Sequence, residues 1–317
     1  MPGERQSGPQ VEPFFLGGKE VAFTHLGRVY FPASGYTKAE VLDYYLQIAP
    51  YLLPHVKDRP LTLERYPEGV QNGSFFQKNA SSYFPPWLRT YPVERRDGKK
   101  IVHFPLVDDE ADLLYLVNQG TITFHTQMSR TTDPVHPDVM VLDVDPPEID
   151  GPQGAVASRQ TSRSAQFKLA AEVAVLLREQ LRAAGFDPVV KTSGKRGLHL
   201  AFRLDGQMDY TEARAQLGRL FAELAARNPN LLTTLIRKNK REGRVYLDAL
   251  RMSPGATIVP PYVVRPTAEA TVSMPVTWEE LDSLQDGCAF TIKTAPARLE
   301  KMGDLWAGLT RSERGAG

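Results

Sequence analysis

Val139-Met140-Val141-Leu142-Asp143-Val144-Asp145-Pro146-Pro147 is the stretch on which the reading of this chain turns. Four apolar residues run straight into two acids, and two prolines then end the run. A short apolar run of this kind reads as a buried strand. Side chains alternate along a strand, so Asp143 and Asp145 share one face while Val144 enters the opposite layer. The two carboxylates are then ~6 to 7 Å apart, and they repel unless a cation lies between them. Hard oxygen ligands of this sort suit Mg²⁺ or Mn²⁺. An Asp-x-Asp pair alone is weak evidence, and a pair of surface acids at a strand edge is the bland alternative. Its place at the end of a buried strand favours a metal.

Downstream, Leu169, Val173, Leu176, Leu177 and Leu181 recur at helical spacing, with Gly185 placed to end the helix. Pro188 to Thr192 reads as a strand. Leu198, Leu200, Phe202 and Leu204 alternate, so His199, Ala201 and Arg203 face the other way. Leu217, Leu220, Phe221 and Leu224 mark a second helix, and Arg244 to Leu250 reads as a last strand. The order strand, helix, strand, strand, helix, strand is that of ferredoxin-like and RNA-recognition-motif folds. In that topology the first strand lies between the third and the fourth. Asp248 would then come to lie beside Asp143 and Asp145.

Ser193-Gly194-Lys195-Arg196-Gly197-Leu198-His199 joins two of these strands. Its glycines let the backbone turn tightly and approach a ligand. Loop N–H groups can cradle phosphate oxygens, with donors added by Ser193, Lys195 and Arg196. If the leucines face the core, His199 shares the acidic face; a basic hairpin with a surface histidine is the alternative. Lys191 joins Lys195 and Arg196 in one basic group, and Arg237, Lys238, Lys240, Arg241 and Arg244 form another. Either group faces phosphates or makes a solvated loop. Arg251 and Arg265 carry forks that match triphosphate oxygens or surface acids.

Upstream, Thr37 and Glu40 form a capping box ahead of a helix through Val41, Leu42, Tyr45 and Leu46. Leu61 to Arg65 reads as a strand, Asp108 to Asn118 as a helix and Thr121 to Thr126 as a strand. Ser74-Phe75-Phe76-Gln77-Lys78 places aromatic residues next to a base. Residues 1 to 12 read as a flexible leader and 311 to 317 as a tail, and Pro146 to Ser164 as a long loop. Across 317 residues the net charge is only +1, so the chain is not basic all over. No apolar run is long enough for a membrane span. Cys288 is the single cysteine, which excludes internal disulfides and a cysteine-rich zinc site. A cytoplasmic location is the default expectation.

Three segments together resemble the motifs of the archaeo-eukaryotic primase superfamily: Val141 to Pro146, Thr192 to His199 and Val245 to Asp248. Within it the chain is most similar to the polymerase domain of bacterial ligase D, the end-joining repair enzyme, from about His25 to Trp306. Arg28-Val29-Tyr30-Phe31-Pro32, Thr37-Lys38, Gly73 to Lys78, Pro86-Trp87-Leu88 and Pro261-Tyr262 support the likeness. The resemblance implies an α+β primase-type fold, with a ferredoxin-like, RRM-like catalytic core (βαββαβ, about 139–250) packed against an N-terminal α/β module. The expected divisions are a module at about 13–130, the core region at about 131–265 and a C-terminal helical segment at about 276–310.

It also implies roles. Asp143, Asp145 and Asp248 would hold two divalent ions, Mn²⁺ or Mg²⁺. Ser193, Lys195, Arg196, His199, Arg241, Arg251 and Arg265 would surround a nucleoside triphosphate. His125 would lie near the sugar or the primer end, and Phe75 and Phe76 would stack on a base. Arg28 and Lys38 would grip a 5′-phosphate at a DNA gap or break. The family commonly has Asn where His25 stands, and often Lys where Arg28 stands. Implied partners are gapped or broken DNA, NTP and dNTP substrates, a Ku-like end-binding protein and a DNA ligase, with ribonucleotides preferred. The rival readings are another Asp-x-Asp phosphotransfer enzyme and a non-catalytic module that bridges DNA ends.

Overall fold

The computed structural model describes residues 14–94, 98, 100–146, 156–204, 206 and 208–310. The leader (1 to 12) and the tail (311 to 317) lie outside the described residues. So do residues 147–155 of the expected long loop, which is shorter than expected because a helix already begins at Val156.

Two antiparallel four-stranded sheets carry two separate cores. The first sheet has the order Thr257–Ile258, Thr121–Gln127, Leu61–Arg65, Phe75–Gln77. The helix Lys38–Val56 packs on its core and starts with the expected capping box between Thr37 and Glu40, a device worth ~1 kcal/mol. It buries Val41, Tyr44, Tyr45, Ile48 and Leu52, and each such aliphatic side chain contributes ~1.5–3 kcal/mol. Its tyrosines also tie distant chain together. Tyr44 donates to the Tyr262 carbonyl at 2.6 Å, and Tyr45 accepts from the Val264 N–H at 3.1 Å.

The second sheet has the order Val139–Val144, Leu198–Arg203, Val189–Thr192, Pro275–Val276. The helices Val156–Ala183 and Tyr210–Arg227 supply its core with Phe167, Leu177, Leu217 and Phe221. The first of these helices ends as expected at Gly185, whose φ is +88°, with the Phe186 N–H on the Leu181 carbonyl at 2.9 Å.

One expectation fails here. Among the described residues, the acid-bearing strand Val139–Val144 lies at the edge of its sheet, paired only with Leu198–Arg203. The expected fourth strand is just Val245–Tyr246, and it pairs in parallel with Leu232–Thr233 in a separate ribbon. The strand stops because the Asp248 side chain accepts the Leu250 N–H at 2.9 Å and caps the turn Ala249–Arg251. The far edge of the sheet is instead closed by Pro275–Val276.

The two modules are also not successive in sequence. Val259, Tyr262, Val264, Val272 and Met274 return to the first core, so the expected core region at about 131–265 crosses from one core to the other. The C-terminal segment holds one helix of more than a single turn among the described residues, Ala295–Met302. No helix of the described residues is long and apolar enough to cross a membrane.

Candidate active site

The acidic strand and the phosphate-loop strand meet in register, Asp143 opposite His199 and Val144 opposite Leu198. Alternation does the rest. Val144, Leu198 and Leu200 are fully buried, and Asp143 and His199 emerge together on the other face. His199 Nε2 lies 3.5 Å from Asp143 Oδ1. Burial and the neighbouring Asp145 push the Asp143 carboxyl up to about 6, against the pull of Arg251, Lys191 and Arg265. A carboxylate under that load gains from a cation.

Asp248 reaches the site by an unexpected route. Arg251 places Nη1 2.9 Å from Asp143 Oδ2 and Nε 3.8 Å from Asp248 Oδ2. One guanidinium thus stands between the two acids. Tyr246 donates to Asp248 Oδ1 at 3.2 Å, and Arg241 stacks on the Tyr246 ring at 3.9 Å. Arg241 also donates to the Leu235 and Ile236 carbonyls, so it touches Asp248 only through that ring. Among the described residues, no three of His, Cys, Asp and Glu converge closely enough to hold a metal ion by themselves.

The loop from Ser193 to Gly197 closes on itself. The Ser193 N–H meets the Gly197 carbonyl at 2.9 Å. Ser193 Oγ accepts the N–H groups of Lys195 and Gly197, each at 3.1 Å. Three of the N–H groups expected to cradle phosphate are therefore spent inside the loop. Gly197 abuts the acids, since a Cβ there would lie 2.5 Å from the Val144 carbonyl and 2.8 Å from Asp145 Oδ1. Lys195 is exposed. Burial and Arg265 lower its pKa, partly offset by Glu64 and Asp145.

Arg265 lies under this loop and is only 9% exposed. Its Nε and Nη1 are buried with no hydrogen-bond partner. Burial lowers its pKa, partly offset by the charges of Glu64 and Asp143. Buried donors are almost always satisfied, so two open guanidinium nitrogens mark a place for an anion.

His125 comes from the other sheet. Its Nε2 lies 3.3 Å from Glu64 Oε2, and its ring meets Phe76 edge-on with centroids 5.5 Å apart. Burial lowers the His125 pKa, partly offset by Glu64. Phe75 and Phe76 lie on the edge strand Phe75–Gln77, half-exposed or more. Arg28 and Lys38 lie apart, at the start of the first module. Arg28 pairs with Glu68 and the Pro67 carbonyl, both at 2.6 Å. Lys38 is buried and donates to the Thr24 carbonyl at 2.6 Å. Burial, then the charge of Arg28, lowers its pKa to about 8.

Two neighbours of the site were not expected. Glu64 faces His125, accepts from Tyr66 at 2.7 Å and feels Arg265. Burial raises its pKa, but the His125 and Tyr66 hydrogen bonds with the His125 and Arg265 charges outweigh that and hold it at about 2. The sequence carries no signal for it, since Glu64 stands between Leu63 and Arg65 and meets Phe76 only through strand pairing. Arg65, also buried, donates to Gln77 and to the Tyr83 hydroxyl, and stacks under Phe75 at 5.3 Å. Lys191, expected to face phosphates or to lie in a solvated loop, instead points into the interior and is fully buried.

A family model described as the LigD primase-polymerase domain matches residues 37–306. The bifunctional non-homologous end joining protein LigD of Bacillus subtilis is 32% identical over 90% of this chain, which covers 43% of that protein. The multifunctional LigD of Mycobacterium tuberculosis is 31% identical over 83% of this chain, covering 34% of its own length. The chain thus spans less than half of these relatives. Among solved structures, the polymerase domain of Mycobacterium tuberculosis ligase D in complex with DNA superposes with a TM-score of 0.80 at 29% identity, over 92% of this chain and 98% of that one.

Proposed function

Because the chain belongs to the LigD primase-polymerase domain family of DNA-directed nucleotidyltransferases, we propose that it adds nucleotides, ribonucleotides by preference, to a primer 3′-hydroxyl at DNA gaps and double-strand break ends. The observation that carries this reading is Arg265, with two open, buried donor nitrogens next to Asp143 and beneath the phosphate loop. A triphosphate satisfies both donors in a way that a smooth protein surface does not.

Asp143 and Asp145 fit a divalent cation, since they are crowded, like-charged oxygen donors. Asp248 would complete the ligand set if Arg251, which bridges it to Asp143, gave way. Two Mg²⁺ or Mn²⁺ ions held there would lower the pKa of the attacking hydroxyl and offset charge on the leaving pyrophosphate. The chain's own groups do the remaining work. Arg265, Lys195, Arg196 and Ser193 bind the triphosphate, His199 donates to a phosphate oxygen, and Arg251 follows the charge that develops on it. His125, held by Glu64, lies near the sugar, and Phe76 stacks on a base. Arg28 and Lys38 grip the 5′-phosphate on the downstream strand. A Ku-like protein and a DNA ligase are the partners that end joining requires.

Primer extension on gapped, 5′-phosphorylated DNA with NTPs or dNTPs and Mn²⁺ tests the proposal. The wild type extends the primer, more readily with NTPs. The Asp143→Ala, Asp145→Ala double variant loses extension by about a thousandfold or more, the scale seen when transition-state charge stabilisation is removed. Full extension by that variant refutes the acidic site. Tight end binding without any product would favour an end-bridging module instead.

A further inference from the structure

Lys191 is fully buried, and both its hydrogen-bond partners are neutral. Nζ lies 2.8 Å from His199 Nδ1 and donates to the Ser273 hydroxyl. Its remaining side faces the Trp306 ring, 5.6 Å from the centroid. An amine held away from water without a carboxylate partner is costly. A merely space-filling role would be served better by an apolar side chain.

The hydrogen-bond bookkeeping around it has one consistent solution. Ser273 Oγ donates its proton to the Thr192 carbonyl at 3.0 Å, so it accepts from Lys191. The amine keeps at least two N–H bonds in either charge state. One goes to Ser273 and the other to His199 Nδ1, which then presents a lone pair; the reverse arrangement, a neutral amine accepting from Nδ1–H, would set an Nε2 lone pair against Asp143 Oδ1. The ring proton is left on Nε2, and Nε2 faces Asp143 Oδ1, where an N–H is favoured over a second lone pair. The hydrogen bond at one imidazole nitrogen sets the state of the other.

We propose that Lys191 is a positioning residue that locks His199 as the Nε2–H tautomer, so that His199 enters nucleotide transfer as a hydrogen-bond donor and not as a proton acceptor. The role as donor to a phosphate oxygen rests on the polymerase reading; the tautomer itself does not. This explains why a lysine stands at the start of the phosphate loop and yet faces inward. Its service to the nucleotide passes through the histidine paired with Asp143.

The test uses the full chain labelled with ¹⁵N-histidine, with the His199 signal assigned by His199→Gln. Two-bond ¹⁵N–¹H correlation spectra read the tautomer in the free protein. The wild type is expected to show Nε2–H. Lys191→Met, which keeps the volume and loses the donor, is expected to shift His199 towards Nδ1–H. It is also expected to lower kcat/KM for the nucleotide by about tenfold or more, with unchanged binding of 5′-phosphorylated DNA. Lys191→Gln, which keeps an N–H donor, restores the tautomer and most of the activity. An Nδ1–H signal in the wild type overturns the proposal. So does a folded Lys191→Met that keeps both the Nε2–H signal and wild-type kcat/KM. If Lys191→Met does not fold, the wild-type spectrum and Lys191→Gln decide in the same way. A wild type that shows Nε2–H but adds no nucleotide sinks the polymerase reading and leaves the tautomer lock standing.

Discussion

Replacing Gly194 with alanine tests whether the phosphate loop is held against Arg265. Gly194 has φ of +70°, a conformation that costs an L-residue ~1–2 kcal/mol. An added Cβ would also lie 2.5 Å from Arg265 Cγ and 3.0 Å from backbone atoms of Val272 and Ser273. The arginine stem can shift. The backbone cannot do so cheaply, because the Val272 and Ser273 N–H groups are bonded to the Phe290 and Val263 carbonyls at 2.8 and 3.0 Å. Overpacking of this kind costs ~1–3 kcal/mol, so Gly194→Ala should lose ~2–5 kcal/mol in all. Gly185→Ala is the control. Its φ is +88° with nothing within 4 Å of the new methyl, so it carries the backbone strain alone, ~1–2 kcal/mol. Urea unfolding followed by circular dichroism measures both, and the difference between them isolates the crowding. Because Gly194→Ala displaces Arg265, KM for the nucleotide should also rise by about tenfold, which is ~1.4 kcal/mol of lost binding. If Gly194→Ala loses no more stability than Gly185→Ala and binds nucleotide normally, the loop does not rest on Arg265 and the argument fails.

Two further outcomes follow from other parts of the molecule. Lys38 titrates at about 8, so it is charged below that pH and neutral above it. The preference for 5′-phosphorylated over 5′-hydroxyl ends should therefore be full at pH 6.5 and fall as pH rises through about 8, by up to about tenfold for one charge-assisted contact. Lys38→Ala should abolish that pH dependence, and a preference that stays flat to pH 9.5 in the wild type rules out Lys38 as the anchor. Asp304 accepts from His55 Nε2 at 2.9 Å, from the Trp306 N–H at 2.8 Å and from the Tyr262 hydroxyl. Burial raises its pKa, but the His55 hydrogen bond and charge with the Tyr262 and Trp306 bonds outweigh that and lower it. The stability it contributes is present above the unfolded carboxyl pKa of ~3.9 and is lost as pH falls through the lower folded value. Asp304→Asn should cost ~2–3 kcal/mol near neutral pH and flatten the acid limb of the stability profile, as read by melting temperature against pH.

The sharing of one face by Asp143, Asp145 and His199 was legible from residue order alone. A strand imposes a period of two, and the leucines on the opposite face show which side is core. The capping box at Thr37 and the stop at Gly185 were legible for the same reason, since both depend on contacts within a few residues. The entry of Asp248 was not. It depends on whether a short run extends a distant sheet, and the cap that Asp248 makes on its own turn wins that competition. Glu64 was missed because alternation would leave an acid beside Leu63 facing solvent. Its strand is central, flanked on both sides, and His125 on the neighbouring strand gives the acid a buried partner.

Residue order by itself determined the strands that carry Asp143 and His199, the helices through Val41, Val173 and Leu217, the stop at Gly185 and the grouping of two acids with one histidine, because these are set by backbone period and local hydrogen bonds. Only the tertiary structure decided which way Lys191 points, how Arg251 bridges two acids 105 residues apart (248 − 143), and where Arg265 leaves its N–H groups open. Those outcomes depend on how much water each charged group loses when remote segments close over it. Desolvation is a property of the assembled volume, and no window of sequence contains it.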